Sequence, residues 1–319
     1  MAGRLAAVAL CAAPILAQAA TAITIGTGDA NGVYWPTGQA ICRFYEASTG
    51  QQCQARITGG SHYNATAVRN GDLTFGIVQS DIQYAALNGS GLYYDSGPAP
   101  DLRSLFSLHS EAFTVVATLP EIQRFSDLRG RRVNVGNPGS GHRVTLDALL
   151  AVQGLSENVF ALAGELRPED MLQVLCAGRL DAFVYVVGFP SRAIEAATRD
   201  CQGHLVSVEG MGVERLLERY PYYTRVRIPG GTYAHTPEDI RTFGMRATLL
   251  TRADVDEETV HALVAAVFSH IETLRTQHAS LAALTPDEMS SAGLTAPLHQ
   301  GARRYYEEVG LPLPEPAPH

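Results

Sequence analysis

The 319-residue sequence contains no lysine, so every one of its 24 basic residues is arginine. That absence excludes Schiff-base chemistry and any lysine nucleophile. Basic residues are also outnumbered, 24 against 32 acidic, for a formal charge of −8. The chain therefore has no cationic surplus to displace counterions, which argues against a nucleic-acid partner. Motifs of catalysis are missing as well. No G-x-S-x-G elbow and no HExxH helix occurs, and Ser140 beside His142 in PGSGH says nothing about triad geometry. Neither a C-x-x-C pair nor an H-x-x-x-H accompanies the cysteines, which leaves metal binding as the weaker reading of them.

What is present begins with MAGRLAAVALCAAPILAQAATA. One arginine, an apolar run from Leu5 to Leu16 and an Ala-Gln-Ala site predict a signal peptide over residues 1–22. The run is too short for a stable membrane anchor, and Leu10 before Cys11 argues against a lipoprotein. The expectation is a periplasmic protein, exported and not membrane-embedded. Four cysteines remain after the leader, an even number for an oxidising compartment. They permit three pairings, and nearest-neighbour pairing, Cys42 with Cys53 and Cys176 with Cys201, keeps each pair within one local unit.

The rest alternates strands with helices. AITIGTG, QARIT and LTFGIVQSD read as strands between helical segments, and RRVNV and AFVYVVG repeat the pattern downstream. Such alternation predicts a mostly parallel α/β sheet, with ligands at the carboxyl ends of its strands. Two long extended segments, LRSLFSLHSEAFTVVATL and IRTFGMRATLLTR, read as crossings between lobes. The expected architecture is a two-lobed α/β one, with a hinge of two crossing segments and an interlobe cleft. Lobe 1 takes residues 23–110 and 240–319, and lobe 2 takes 111–239.

Several strand ends carry small or polar groups: GTG with Gly28, TGGS with Ser61, and Gln79-Ser80-Asp81. GNPGSGHR, holding Gly139, Ser140, Gly141, His142 and Arg143, imitates the spacing of a phosphate loop. Histidine and arginine stand where that loop needs lysine and a hydroxyl residue, so nucleotide hydrolysis does not fit. What survives is an anion cradle of backbone N–H groups at a helix start, with Arg143 as a bidentate carboxylate grip. The alternative is a tight turn whose glycines only permit the backbone path. Asp81 reads equally well as a helix cap, Asn64 as a first-turn residue, and Trp35 beside Tyr34 as core.

The ordered series GTGDANGVYWPTG, TGGSHYNATAVRNGDLTFGIVQSD, DLRGRRVNVGNPGSGHRVT, DAFVYVVGFP and GGTY resembles the TAXI family. These are solute receptors of tripartite ATP-independent periplasmic (TRAP) transporters. The ICR…C segment resembles one branch of the family and supports the Cys42–Cys53 pairing. The resemblance implies a periplasmic-binding-protein fold, type II-like, of two α/β lobes closing over a ligand, with no enzyme activity, no cofactor and no metal. It implies a monomer that binds a small organic anion, glutamate-like or a dicarboxylate, and delivers it to membrane permease subunits. Carried residue by residue, the implied contacts are Gly28, Tyr34, Ser61, Asn64, Gln79, Ser80, Asp81, Gly139 to Arg143, and Gly188. His62, His142 and Trp35 depart from the family pattern. Two histidines near an anion would raise affinity at mildly acidic pH. A receptor feeding a membrane sensor is the alternative reading.

Overall fold

The computed structural model describes residues 22–314, so the predicted signal peptide lies almost wholly outside the described residues. Ten strands form one twisted sheet: β1 (Ile23–Gly26), β2 (Cys53–Arg56), β3 (Phe75–Gln79), β4 (Leu102–Ala117), β5 (Arg132–Asn134), β6 (Leu162–Gly164), β7 (Ala182–Val187), β8 (His204–Val206), β9 (Thr224–Ile228) and β10 (Ile240–Arg252). The order is β2-β1-β3-β10-β4-β7-β5-β6, with β8 on β4 and β9 on β10.

The expected α/β architecture is present, but the sheet is mixed and not mostly parallel. Among the described residues four strand pairs are parallel and five antiparallel, because the two long strands β4 and β10 run against their neighbours. β1 pairs β2 and β3 in parallel, β5 pairs β6 and β7 in parallel, and the two sets are joined through the long antiparallel pair β4 and β10. Each of those long strands serves both halves. β4 pairs β10 from Leu102 to Ala112 and pairs β7 from Ala112 to Ala117. β10 pairs β9 from Ile240 to Gly244 and pairs β3 from Ala247 to Leu250. At their centre Glu111 faces Met245, and the neighbouring Gly244 is in tight contact, since a Cβ there would meet the Glu111 carbonyl oxygen at 2.1 Å.

The helices that matter for function follow the parallel strands: α1 (Tyr34–Thr49), α2 (Ser61–Asn70), α3 (Ser80–Asn88), α4 (Gly141–Ala151) and α5 (Pro168–Cys176). Proline at the start of α5 supplies a preset φ, with Glu169 and Asp170 in its first turn. Helices α6 (Arg192–Asp200) and α7 (Met211–Arg219) complete the second half. The C-terminal region packs back on the first half as α8 (Glu257–Ser269), α9 (Ile271–Arg275), α10 (Pro286–Ser291) and α11 (Gln300–Val309). Tyr306 of α11 is fully buried and donates to the Leu105 carbonyl at 2.6 Å, fixing that helix to β4.

Two segments differ from the sequence reading. YPYYTRVRIPGGTYAHTPEDI, broken by proline and glycine, reads as irregular, yet its TRVRI portion forms β9, because its β-branched alternation finds an antiparallel partner in β10. DEETVHALVAAVFSHIETLRTQH, residues 256–278, reads as helical from its apolar spacing, but breaks at His270 into α8 and α9. The disulfides Cys42–Cys53 and Cys176–Cys201 are formed as expected, at Cα separations of 5.0 and 4.7 Å. Cys42–Cys53 ties α1 to β2, and Cys176–Cys201 ties the ends of α5 and α6.

Candidate functional site

All six parallel strands end toward one cavity of about 320 Å³, at the small end of the range for ligand sites. Its wall takes Gly28 to Tyr34 after β1, Ile57 to Ser61 after β2, and Gln79 at the end of β3. The other half adds Asn137 and Ser140 to His142 after β5, Arg167 to Glu169 after β6, and Tyr185 to Val187 from β7. Glu111, at the crossing of β4 and β10, completes the lining.

The halves meet closely around it. The Tyr63 N–H donates to the Gly139 carbonyl at 3.2 Å, and the Tyr185 hydroxyl donates to Asp29 Oδ2 at 3.0 Å. Beside the cavity, Asp81 is 3% exposed and accepts from the hydroxyls of Thr145 at 2.9 Å and Tyr223 at 2.8 Å. Burial, only partly offset by those bonds, pushes the Asp81 carboxyl up to about 6.

GNPGSGHR forms the turn from β5 into α4. Gly136 adopts a φ of 102°, and a Cβ there would strike the His142 ring at 2.1 Å, so the imidazole folds back over its own loop. Gly141 has a different reason to be small. A Cβ at that position would lie 1.4 Å from Gln79 Oε1 and 3.1 Å from Ser61 Oγ. The starts of α2 and α4 and the end of β3 are thus held together only because position 141 has no side chain. Neither α2 nor α4 has a side-chain cap; the Tyr63 N–H of α2 is taken by the Gly139 carbonyl, and the other first-turn N–H groups have no side-chain acceptor.

Seven of the thirteen expected ligand residues line the cavity: Gly28, Tyr34, Ser61, Gln79, Ser140, Gly141 and His142. The other six sit around it. Asn64 is a brace, donating to the carbonyls of Thr27 and Ile77 at 2.6 and 2.8 Å. The Ser80 hydroxyl is buried without a partner, and Asp81 spans α3 and α4. Gly139 accepts from Tyr63, and Gly188 leaves room for the His109 ring.

Arg143 is not the carboxylate grip expected of it. Its guanidinium is outside the cavity lining and pairs with Asp147, Glu157 and Glu165. Asp147 stands one helical turn on, whereas the other two acids are brought up by the fold. The histidines also depart from expectation. Burial pushes His142 down to about 4, so it gains no charge at mildly acidic pH; burial also lowers His62, which packs edge-on against Tyr93 away from the lining. Ser140 donates to the Asn137 carbonyl at 2.6 Å within its own turn, with no bond to His142.

The sequence reading missed Glu111, Asp29 and Tyr185. Glu111 is 3% exposed, and its Oε2 accepts from the Tyr34 hydroxyl at 2.6 Å. Asp29 accepts from Tyr185 and is held above its ordinary pKa by burial. A charged residue inside the apolar run of β4 was the available signal for Glu111. Among the described residues no group of three or more His, Cys, Asp or Glu is placed to hold a metal, and no helix is long and apolar enough to cross a membrane.

The chain is similar over 90% of its length to a solved protein of Bordetella bronchiseptica RB50, covering 98% of that chain at 15% identity with a TM-score of 0.54. It is also similar, at 15% identity and a TM-score of 0.47, to the alkanesulfonate-binding protein SsuA of Xanthomonas axonopodis pv. citri bound to MOPS, over 89% of this chain and 83% of that one. A substrate-binding protein of an amino acid ABC transporter matches 79% of this chain and 94% of its own at 11% identity, with a TM-score of 0.46. The two-lobed α/β fold expected from the sequence is the one the chain adopts. Residues 25–310 match the NMT1-like family, and the chain belongs to it.

Proposed function

We propose that this member of the NMT1-like family is a periplasmic solute receptor of a TRAP transporter, closing its two lobes over a small organic anion of the glutamate-like or dicarboxylate class. Lobe 1 comprises residues 23–110 and 240–319, and lobe 2 comprises 111–239. The passage of β4 and β10 through both halves supports that division. Gly28, Tyr34, Ser61, Gln79, Ser140, Gly141 and His142 contact the solute, while Asn64, Ser80, Asp81, Gly139 and Gly188 support those contacts. The receptor works as a monomer and hands the solute to the permease. It performs no chemistry on it.

The observation that carries this reading is the convergence of six parallel-strand ends from both halves on one small cavity. A solute there touches both lobes only when they are together. Its extra contacts in the closed form are what shift the hinge equilibrium, and no other difference would do so. The carboxylate of the solute sits against the open first turns of α2 and α4, where backbone N–H groups and the helix dipoles favour negative charge.

A thermal-shift screen of the oxidised protein against amino acids, 2-oxo acids and dicarboxylates tests the proposal. A true solute at a hundred times its dissociation constant stabilises by about 2.7 kcal/mol. A response to nucleotides or inorganic phosphate alone would refute the reading of the α4 turn. No response across the carboxylates would refute the receptor reading for that class.

A further inference from the structure

The cavity is acidic where an anion receptor would be expected to be basic. Asp29, Glu111 and Glu169 line it, against one arginine in the lining, Arg167, whose side chain is 67% exposed and 3.9 Å from Glu169. His142, the lining histidine, is kept neutral by burial. Glu111 is the deepest of the acids. A buried carboxylate is stable only when paired or fully hydrogen-bonded, and it offers about four acceptor positions. The Tyr34 hydroxyl fills one of them. His109 brings Nε2 to 3.6 Å of Oε1, an ion-pair distance for a protonated ring but outside hydrogen-bond range, and both nitrogens of its buried ring lack a hydrogen-bond partner, so the acceptor positions of Glu111 stay open.

A second group points the same way independently. Gln79 is 2% exposed and lines the same cavity, and its Oε1 accepts from nothing. Its amide nitrogen is turned the other way, 3.4 Å from the Met245 sulfur. An orphaned buried acceptor costs about 1–3 kcal/mol. With no lysine in the chain, the lining offers no buried cation to satisfy either oxygen.

We propose that the Glu111 and Gln79 end of the cavity is a subsite for a protonated amine, so that the solute is an amino acid or a similar amine-bearing acid and not a dicarboxylate. A primary ammonium carries three donors and a compact positive charge. It supplies Glu111 with its counter-charge and Gln79 Oε1 with its missing donor in one group. The inference rests on the receptor reading above and narrows it.

The test is calorimetric titration of the oxidised protein with pairs matched except at the amine: L-glutamate against 2-oxoglutarate and glutarate, and L-alanine against pyruvate, extended to other amino acids and their 2-oxo acids. The amine-bearing member is expected to bind at least tenfold tighter. Glu111→Gln is expected to remove that preference with cooperative melting retained. Gln79→Met, which keeps the length and deletes the acceptor, is expected to reduce it about tenfold, and it carries the test if Glu111→Gln does not fold. Equal or tighter binding of the amine-free acids, or an undiminished preference in the variants, overturns the amine subsite and leaves the receptor intact. Binding by neither class overturns the receptor reading, and the subsite with it.

Discussion

Asp81→Asn gives the sharpest test of the contact between the halves. Asp81 sits at the start of α3, and its Oδ2 accepts from Thr145 of α4 and from Tyr223, while Oδ1 accepts from the Ile82 N–H at 2.8 Å. Burial outweighs those three bonds and raises the carboxyl from 3.8 to about 6. Between those two values the folded protein holds a proton that the unfolded chain has released. Asp81 therefore favours folding most at low pH, and that contribution is lost as pH rises through about 6. At 1.36 kcal/mol per pH unit the span amounts to about 3 kcal/mol. The asparagine variant does not titrate and lacks this dependence. Urea unfolding followed by circular dichroism, for both proteins, should show the difference in stability moving by about 2.4 kcal/mol of that span in favour of the variant between about pH 4 and pH 8. The difference between the two proteins is the quantity to measure, because His142, depressed by burial to about 4, pulls the wild-type curve the opposite way between 6.5 and about 4. A difference that stays constant within about 0.5 kcal/mol would refute the burial argument for Asp81.

Other outcomes follow from the same geometry. Gly141→Ala forces a methyl onto Gln79 Oε1, and melting should show a loss of about 1–3 kcal/mol while titration shows at least tenfold weaker solute binding. Arg143→Ala removes ion pairs to three largely solvated acids, so urea unfolding should register no more than about 1 kcal/mol and solute affinity should stay within about twofold. Reducing the disulfides, which close loops of 11 and 25 residues in sequence separation, should cost about 2–4 kcal/mol each, read as a lower urea midpoint. Affinity measured between about pH 5.5 and 8 should not rise on the acid side through His142, whose protonation lies below that range.

The parallel pairs within each half and the polar strand ends were legible because both leave local marks, whereas the antiparallel pairing of β4 and β10 that makes the sheet mixed was not. An apolar run closing on TGGS or QSD marks a strand whose end faces something other than core. The two crossings were legible for the same reason, being long apolar segments without helical period. Glu111 was not, because its neighbours in sequence are those of a core strand, and only the pairing of β4 with β10 brings it to the cavity. Arg143 was misread for the opposite reason. Its place after a glycine turn suggested a ligand grip, but Glu157 and Glu165 arrive from later loops that sequence spacing does not locate. β9 was hidden because its partner, β10, begins twelve residues after it ends.

The glycines of GNPGSGHR turn out to be necessary for two different contacts, one with the loop's own histidine and one with Gln79 across the cleft. A crystal structure of the protein grown with the solute that stabilises it most tests the central claim most directly. The account predicts electron density for that solute in the cavity, its carboxylate against the first turns of α2 and α4 and its amine between Glu111 and Gln79. Solute bound elsewhere on the surface, with this cavity holding only water, would contradict it.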